Sequence, residues 1–455
     1  MRKCQLLIWI VGISIFSLIW GCVSYNTKNF KNYLQEPEVD LLISKNTNYQ
    51  YIEEKGRDDS ITLDEAISLA LKFNPELISL RKQIGIAEAR IIQSRLWPNP
   101  HIEFEAEDIP RENLGFQKSK NIVSLSQEVL IGGKIALRTK VAQIEKEIVA
   151  LKYEEKFREV IAEIKKAFYG VLATQQKVEV ARRTVEIAQS LFDSIKKRFD
   201  AGVAPQTELI KARIELERAK VKLFNAKAKF SIAEKRLKTI IGLPKLKIKE
   251  YRGRLRDSFP KLLKEDLVKI VLKTHPGLLA QKKEKELAQL KLKLAKVQRI
   301  PDIEFRVGYG KDTLVKEDIA EFSIGIPIPI FNLNQGKIIE ALLNIRKAET
   351  DYKARENDIL LELDEKLTVF SRTLNQIKKY QEIILPEAKK SLDLVRKGFE
   401  QGKLSYLDLL DAQRTLAETQ EIYIEVIESL NDSAAELEKL IGRALIEIGE
   451  DRRNP

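Results

Sequence analysis

The chain of 455 residues has little of what most often carries chemistry: two cysteines, two histidines and one methionine. Cys4 lies within the N-terminal 21 residues, which read below as a signal, and Cys22 follows directly, so no disulfide framework is expected. His101 and His275 are far apart in sequence, whereas a metal site takes three or four clustered ligands. No metal site and no cofactor is therefore expected. No nucleophile with a paired base is visible, which argues against an enzyme. Aromatic residues make up only 7% of the chain, and acids and bases are interspersed over most of its length despite a net charge of +12. A nucleic-acid groove would need a basic stripe with interleaved aromatics, and none is seen. Ile131-Gly132-Gly133-Lys134 resembles the end of a phosphate loop, but Glu128 and Ile135 stand where Gly and Ser or Thr are required. It reads as a strand-to-helix turn.

Long apolar runs are also scarce. The one from Leu6 to Trp20 follows two basic residues and is too short and too early for a spanning helix, so it reads as a secretory signal over residues 1–21. It stops at Ile19-Trp20-Gly21-Cys22, which resembles a bacterial lipoprotein box with Cys22 as the lipidated residue. Trp20 departs from the small residue usual there. An uncleaved N-terminal anchor is the alternative.

What is abundant is helix former, and it is written twice. RFDAGVAPQTELIKARIEL (198–216) returns as GFEQGKLSYLDLLDAQRTL (398–416). LDEAISLALKFNPEL returns as LKEDLVKIVLKTHPGL, NPHIEF as IPDIEF, and Gly133-Lys134 as Gly336-Lys337. Each half reads helix, strand, loop, strand, long helix, turn, helix, a supersecondary unit used twice. The halves span 61–244 and 261–443. An N-terminal segment (22–60), a linker (245–260) and a tail (444–455) complete the chain.

Four strands are expected, at about 99–108, 121–129, 302–309 and 321–329. Ile102, Phe104 and Ala106 alternate with Glu103, Glu105 and Glu107, and Val123, Leu125 and Val129 with Ser124, Ser126 and Glu128. Ile303, Phe305, Val307 and Tyr309 alternate with Glu304, Arg306 and Gly308 in the same way. An ordinary half-buried sheet would look like this. So would the wall of a transmembrane barrel, whose strands run about nine to eleven residues. Four strands close no water-filled barrel alone and would have to be pooled between subunits. Pro327 and Pro329 cannot donate ladder hydrogen bonds and are expected at a rim. Trp97 suits a membrane–water interface at the same level.

Lys134 to Asp200 contains no proline, and Lys337 to Gln401 only Pro386. At 1.5 Å per residue each stretch reaches about 100 Å as helix. The helices that return carry seams at spacings of three and four, Leu209, Ala212, Leu216, Ala219 and Leu223 in one and Leu409, Ala412, Leu416 and Thr419 in the other. Gly202 and Gly402 force the reversals, so antiparallel hairpins are expected.

Together the double repeat, the two strand pairs and the turns AGVAPQTEL and QGKLSYLDLLDAQ resemble the TolC-type outer-membrane efflux family, from about Ile61 to Arg443. PNPHIEFEAED, SLSQEVLIGGK and IPIPIFNLNQGK are most similar to its heavy-metal branch. The resemblance implies a mainly α fold with a small β part: a homotrimer whose long helices form an α-barrel and whose strands pool into a twelve-stranded β-barrel in outer-membrane lipid. It implies a passive exit duct, which the Cys22 box would anchor by lipid, that meets a periplasmic adaptor protein and, through it, an inner-membrane pump of the RND type. Gly202, Val203, Ala204, Gly402, Lys403, Leu404 and Ser405 match the docking tips. Asp408 and Asp411 match an acidic ring at the entrance. Thr207 and Glu208 match a polar gate pair, but Phe399 stands where a Tyr is expected and Leu404 where an Arg is. A hydrogen-bonded lock is therefore absent or rebuilt. Other cargo, drugs or secreted proteins, is the alternative within the duct. A pore-less periplasmic coiled-coil scaffold is the alternative outside it.

Overall fold

The computed structural model of the protein describes residues 60–109 and 118–447. The signal, the Cys22 box and the tail from 448 onward lie outside the described residues. The first half contains β1 (Ser60–Thr62), α1 (Leu63–Phe73), α2 (Pro75–Ser94), β2 (His101–Glu107), β3 (Lys120–Val129), α3 (Lys134–Asp200) and α4 (Gln206–Ile241). The second contains β4 (Glu250–Arg252), α5 (Lys264–Thr274), α6 (Pro276–Val297), β5 (Ile303–Asp312), β6 (Glu317–Gly325) and α7 (Gln335–Lys379). A π-helical segment (Tyr380–Ile384), α8 (Leu385–Glu400) and α9 (Tyr406–Ile441) follow.

The duplication is visible in the caps. Asn74 accepts from the amides of Glu76 and Leu77 at the start of α2, and the His275 ring accepts from Gly277 N–H at the start of α6. In both, proline follows as the first helical residue, where its missing N–H costs nothing. The strand-to-helix turn before Lys134 forms as expected, with Gly133 at φ +74°. The pairing with Gly336 does not hold. The second copy enters its helix through Asn334 at φ +57°, and Gly336 sits inside α7. Asn tolerates the left-handed region that Gly133 occupies, so a different residue does the same work two positions earlier.

α3 is unbroken over 67 residues, about 100 Å. Its counterpart is not. Pro386 removes one amide donor and its ring crowds the carbonyl of Glu382, and the backbone widens into the π segment just upstream. Laterally, α3 packs on α4 and α9, and α9 packs on α7 and α8. The order across the layer is α4, α3, α9, then α7 with α8. Nearer the strands, Val141, Ile144 and Ile148 of α3 bury themselves against Leu287 and Leu290 of α6. Full burial of such side chains contributes about 1.5–3 kcal/mol each. The expected seams are buried at Ala212, Leu216 and Ala219 on α4 and at Leu409, Ala412 and Thr419 on α9.

Two sheets form. β1 and β4 make a parallel pair between the halves, with Ile61 opposite Tyr251. The other sheet has the order β2-β3-β5-β6, all antiparallel, leaving β2 and β6 as edges. Its register places Phe104, Val123 and Tyr309 in one row, and Leu125, Val307 and Phe322 in the next. That face is apolar and exposed: Ile102 is 71% exposed and Phe322 68%. The opposite face is polar, with Ser124 and Ser126 buried and Arg306 paired with Glu103 at 2.9 Å. The fourth strand ends at Gly325, four residues short of the expected 329. Pro327 and Pro329 end it, and Ile328 instead accepts from Ile330 N–H in a tight turn. Ile326, Ile328 and Phe331 beyond it are exposed. Among the described residues no helix is long and apolar enough to cross a membrane.

Candidate functional site

The two hairpin tips have one backbone design. In the first, Gly202 N–H donates to Phe199 O (2.9 Å) and Val203 N–H to Arg198 O (2.8 Å). In the second, Gly402 N–H donates to Phe399 O (3.0 Å) and Lys403 N–H to Gly398 O (2.8 Å). These bonds pair the last orphan carbonyls of each helix and require a left-handed residue at the reversal. Gly202 and Gly402 supply it at φ +74° and +72°. Val203, Lys403 and Ser405 are exposed at the tips, and Ala204 is buried.

The side chains of the tips have diverged in a compensating pair. Arg198 with Ala204 is large then small; Gly398 with Leu404 is small then large. Leu404 lies over Gly398, where a Cβ would meet its side chain. Arg198 is carried across to the other hairpin, its guanidinium 5.6 Å from the centre of the Phe399 ring. Phe399, with Leu191 and Phe192, also packs against Ile195, Ala212, Tyr406 and Leu410. The position where a tyrosine hydroxyl was expected is thus an apolar wedge with a cation on its face.

A link between the hairpins exists, but from other residues. Arg414 of α9 makes a two-pronged ion pair with Glu215 of α4, with Nε to Oε1 at 3.1 Å. Neither residue was singled out by the sequence, because seam spacing shows which residues face a seam but not which helices flank it. Tyr406 is 3% exposed beside them. Burial pushes its phenol above the usual range, and the negative charges of Glu215 and Glu208 push the same way. Thr207 is exposed and Glu208 half-buried in the first turn of α4, which starts at Pro205 without a side-chain cap.

α9 starts differently. Ser405 Oγ accepts from Asp408 N–H (3.3 Å), and the Asp408 carboxylate accepts from Ser405 N–H (2.8 Å) and Oγ (2.7 Å). This reciprocal cap satisfies two amides the helix start would orphan. The Ser405 hydroxyl, then its amide, hold the Asp408 carboxyl below the usual carboxylate range. Asp411 lies three residues on, and both aspartates are exposed while Leu409, Leu410 and Ala412 are buried. One carboxylate pair therefore shares an open face at the tip of the second hairpin. Among the described residues no group of three His, Cys, Asp or Glu side chains is placed to hold a metal ion.

At the far end of α3, Lys134 is buried and donates to Ile300 O (2.6 Å), and it pairs with Asp302 at 2.7 Å. Asp302 also accepts from Ile131 N–H (3.1 Å). This tie between the halves fixes how the strands leave the helices. The lysine of the rejected phosphate loop is the signal that marked it.

Comparison with known proteins agrees with this geometry. The cobalt-zinc-cadmium resistance protein CzcC of Cupriavidus metallidurans is 28% identical over 386 residues, 84% of this chain and 90% of that protein. The outer membrane protein TolC of Vibrio cholerae is 21% identical, over 78% of this chain and 84% of its own. The CusC crystal structure superposes with a TM-score of 0.71 at 17% identity, covering 83% of this chain and 91% of that one. The profile described as outer membrane efflux protein matches residues 66–243 and 267–443. The chain belongs to the outer membrane efflux protein family, whose members are channels and not enzymes.

Proposed function

We propose that this outer-membrane efflux channel is the exit duct for heavy-metal cations, assembled as a homotrimer and fed through a periplasmic adaptor from an inner-membrane pump of the RND type. The observation that carries the assembly is the pair of open edges. The sheet ends on β2 and β6, and the helical layer ends on α4 and on α7 with α8. Both open edges lie on the first repeat at one side and on the second at the other. Head-to-tail association of copies joins strand to strand and helix to helix, and a ring is its closed form. Three copies pool twelve strands. The exposed apolar face then meets lipid, and the face with Ser124, Ser126 and the Arg306–Glu103 pair lines the lumen. Ile210, Ile214, Val221 and Phe224, exposed on the side of α4 opposite its buried seam, become covered by the next copy. The pore-less scaffold leaves that sheet face without a solvent that suits it.

The likeness to a cobalt-zinc-cadmium resistance protein and the open carboxylate pair at the tip support cations as cargo. The test is metal content of cells carrying or lacking this chain with its pump system intact. Loss of the chain is expected to raise intracellular zinc, cobalt or cadmium. Unchanged metal content with a raised level of a drug or a retained secreted protein would assign the duct to other cargo.

A further inference from the structure

The basic surplus of the chain is concentrated in one place. Residues 218–256 carry fourteen Lys and Arg against two Glu, a surplus that equals the formal net charge of +12 of the whole protein. They form the second half of α4, the segment after it and β4. Lys222, Lys227 and Lys229 are exposed on the helix. Beyond it bases and apolar residues alternate: Leu246, Tyr251 and Leu255 turn inward, while Lys245, Lys247, Arg254 and Arg256 are exposed. Those four make no ion pair among the described residues.

The sign is not imposed by the fold. α4 has ten Lys and Arg against four Glu, and α9, the same helix in the second repeat, has two against nine acids. The acids of α9 pair inward with α3, in Lys165–Glu438 and Lys166–Glu436, both at 2.7 Å, and in Lys177–Glu425 at 3.1 Å. The bases beyond α4 face solvent instead. Position narrows what they meet. Tyr251 packs its ring 6.4 Å from that of Phe168, near the middle of α3. That point is about 50 Å from the strand-bearing end and about as far from the tips. A lipid surface at the strands is out of reach, and so is a partner docked only at the tips.

We infer that this band binds the carboxylate-bearing glycan–peptide polymer of the cell wall as an electrostatic collar around the duct. The inference rests on the outer-membrane placement, which puts the middle of the helices in the periplasm. A dispersed row of exposed cations suits a flexible polyanion, because it needs no single pose and acts through local counter-ion exchange.

The experiment is co-sedimentation of the detergent-solubilised full-length protein with purified peptidoglycan sacculi. The variant removes four charges, Lys245→Gln, Lys247→Gln, Arg254→Gln and Arg256→Gln. A control removes four from exposed positions elsewhere, Lys378→Gln, Lys379→Gln, Lys389→Gln and Lys390→Gln. Wild type and control are expected to pellet, and the band variant to pellet roughly fivefold less, with binding lost as salt rises from about 0.05 M to about 0.5 M. Sacculi whose carboxylates have been amidated should no longer bind wild type. Equal loss in the control variant, or full binding by the band variant, overturns the inference. So does binding to phosphatidylglycerol vesicles through the band with none to sacculi. Thermal melts and oligomeric state of both variants show whether they fold. Conductance of wild type in a planar bilayer separates failure of the collar from failure of the channel reading.

Discussion

His275 shows how a single residue ties the duplication to solution conditions. It occupies the capping place that Asn74 holds in the first repeat, and it accepts through Nδ1, so it must be neutral to do so. Burial lowers its pKa to about 4, and Arg355 and Arg158 push the same way. The unfolded imidazole takes up a proton near 6.5, so between about 6.5 and 4 the unfolded state binds more protons. Stability from this residue is complete above that window and falls as pH drops through it, by about 3 kcal/mol at most. His275→Asn keeps the cap and removes the titration. Melting curves at pH 7 and pH 5 are expected to show a smaller acid loss in the variant; an equal loss in both would locate the sensitivity elsewhere. Cys22 carries a second prediction at this scale. If the apolar run is a lipoprotein signal, Cys22→Ser should abolish labelled palmitate on the protein, and retained label would refute lipidation there.

Among elements, the reversals differ in what holds them. At Gly402 a Cβ would meet nothing within 4 Å, so only its φ of +72° opposes substitution. At Gly242, which ends α4 at φ +89°, a Cβ would run into the Phe73 carbonyl of α1. Gly402→Ala should therefore cost about 1 kcal/mol. Gly242→Ala should cost clearly more, since a backbone atom must also move, and its melting temperature should fall further. The reverse order would mean the α1–α4 contact is soft. The reversal at Gly402 was legible in the sequence as a glycine between two long helical stretches, and so were the strand faces from their alternation. The π segment was not. Pro386 was visible, but whether a helix kinks, stops or widens at a proline depends on its neighbours. Here Gln381 donates to Tyr423 Oη and Asp257 Oδ2, both at 2.9 Å, from residues 42 and 124 positions away. The end of β6 at Gly325 likewise turned on prolines that periodicity ignores.

For the whole molecule, the repeat made the architecture legible before any contact was known, because two strand pairs and two hairpins allow few arrangements. The site was legible only in part. Asp408 and Asp411 were picked out by resemblance, and both are exposed, but the cap that engages Asp408 depends on Ser405 three residues earlier. The link between hairpins through Glu215 and Arg414, and that of Arg198 over Phe399, needed the lateral order α4, α3, α9, which no spacing encodes. In the proposed trimer the aspartate pair would become six carboxylates around the entrance, and charges gathered in a narrow passage reinforce one another's pull on cations. The direct measurement is single-channel conductance of the purified protein in a planar bilayer, with and without a trivalent cation on the periplasmic side. Discrete cation-selective openings that the trivalent cation blocks are expected, with the block largely lost in a channel carrying Asp408→Asn with Asp411→Asn. Absence of openings in the wild type, or equal block in both proteins, would contradict this expectation.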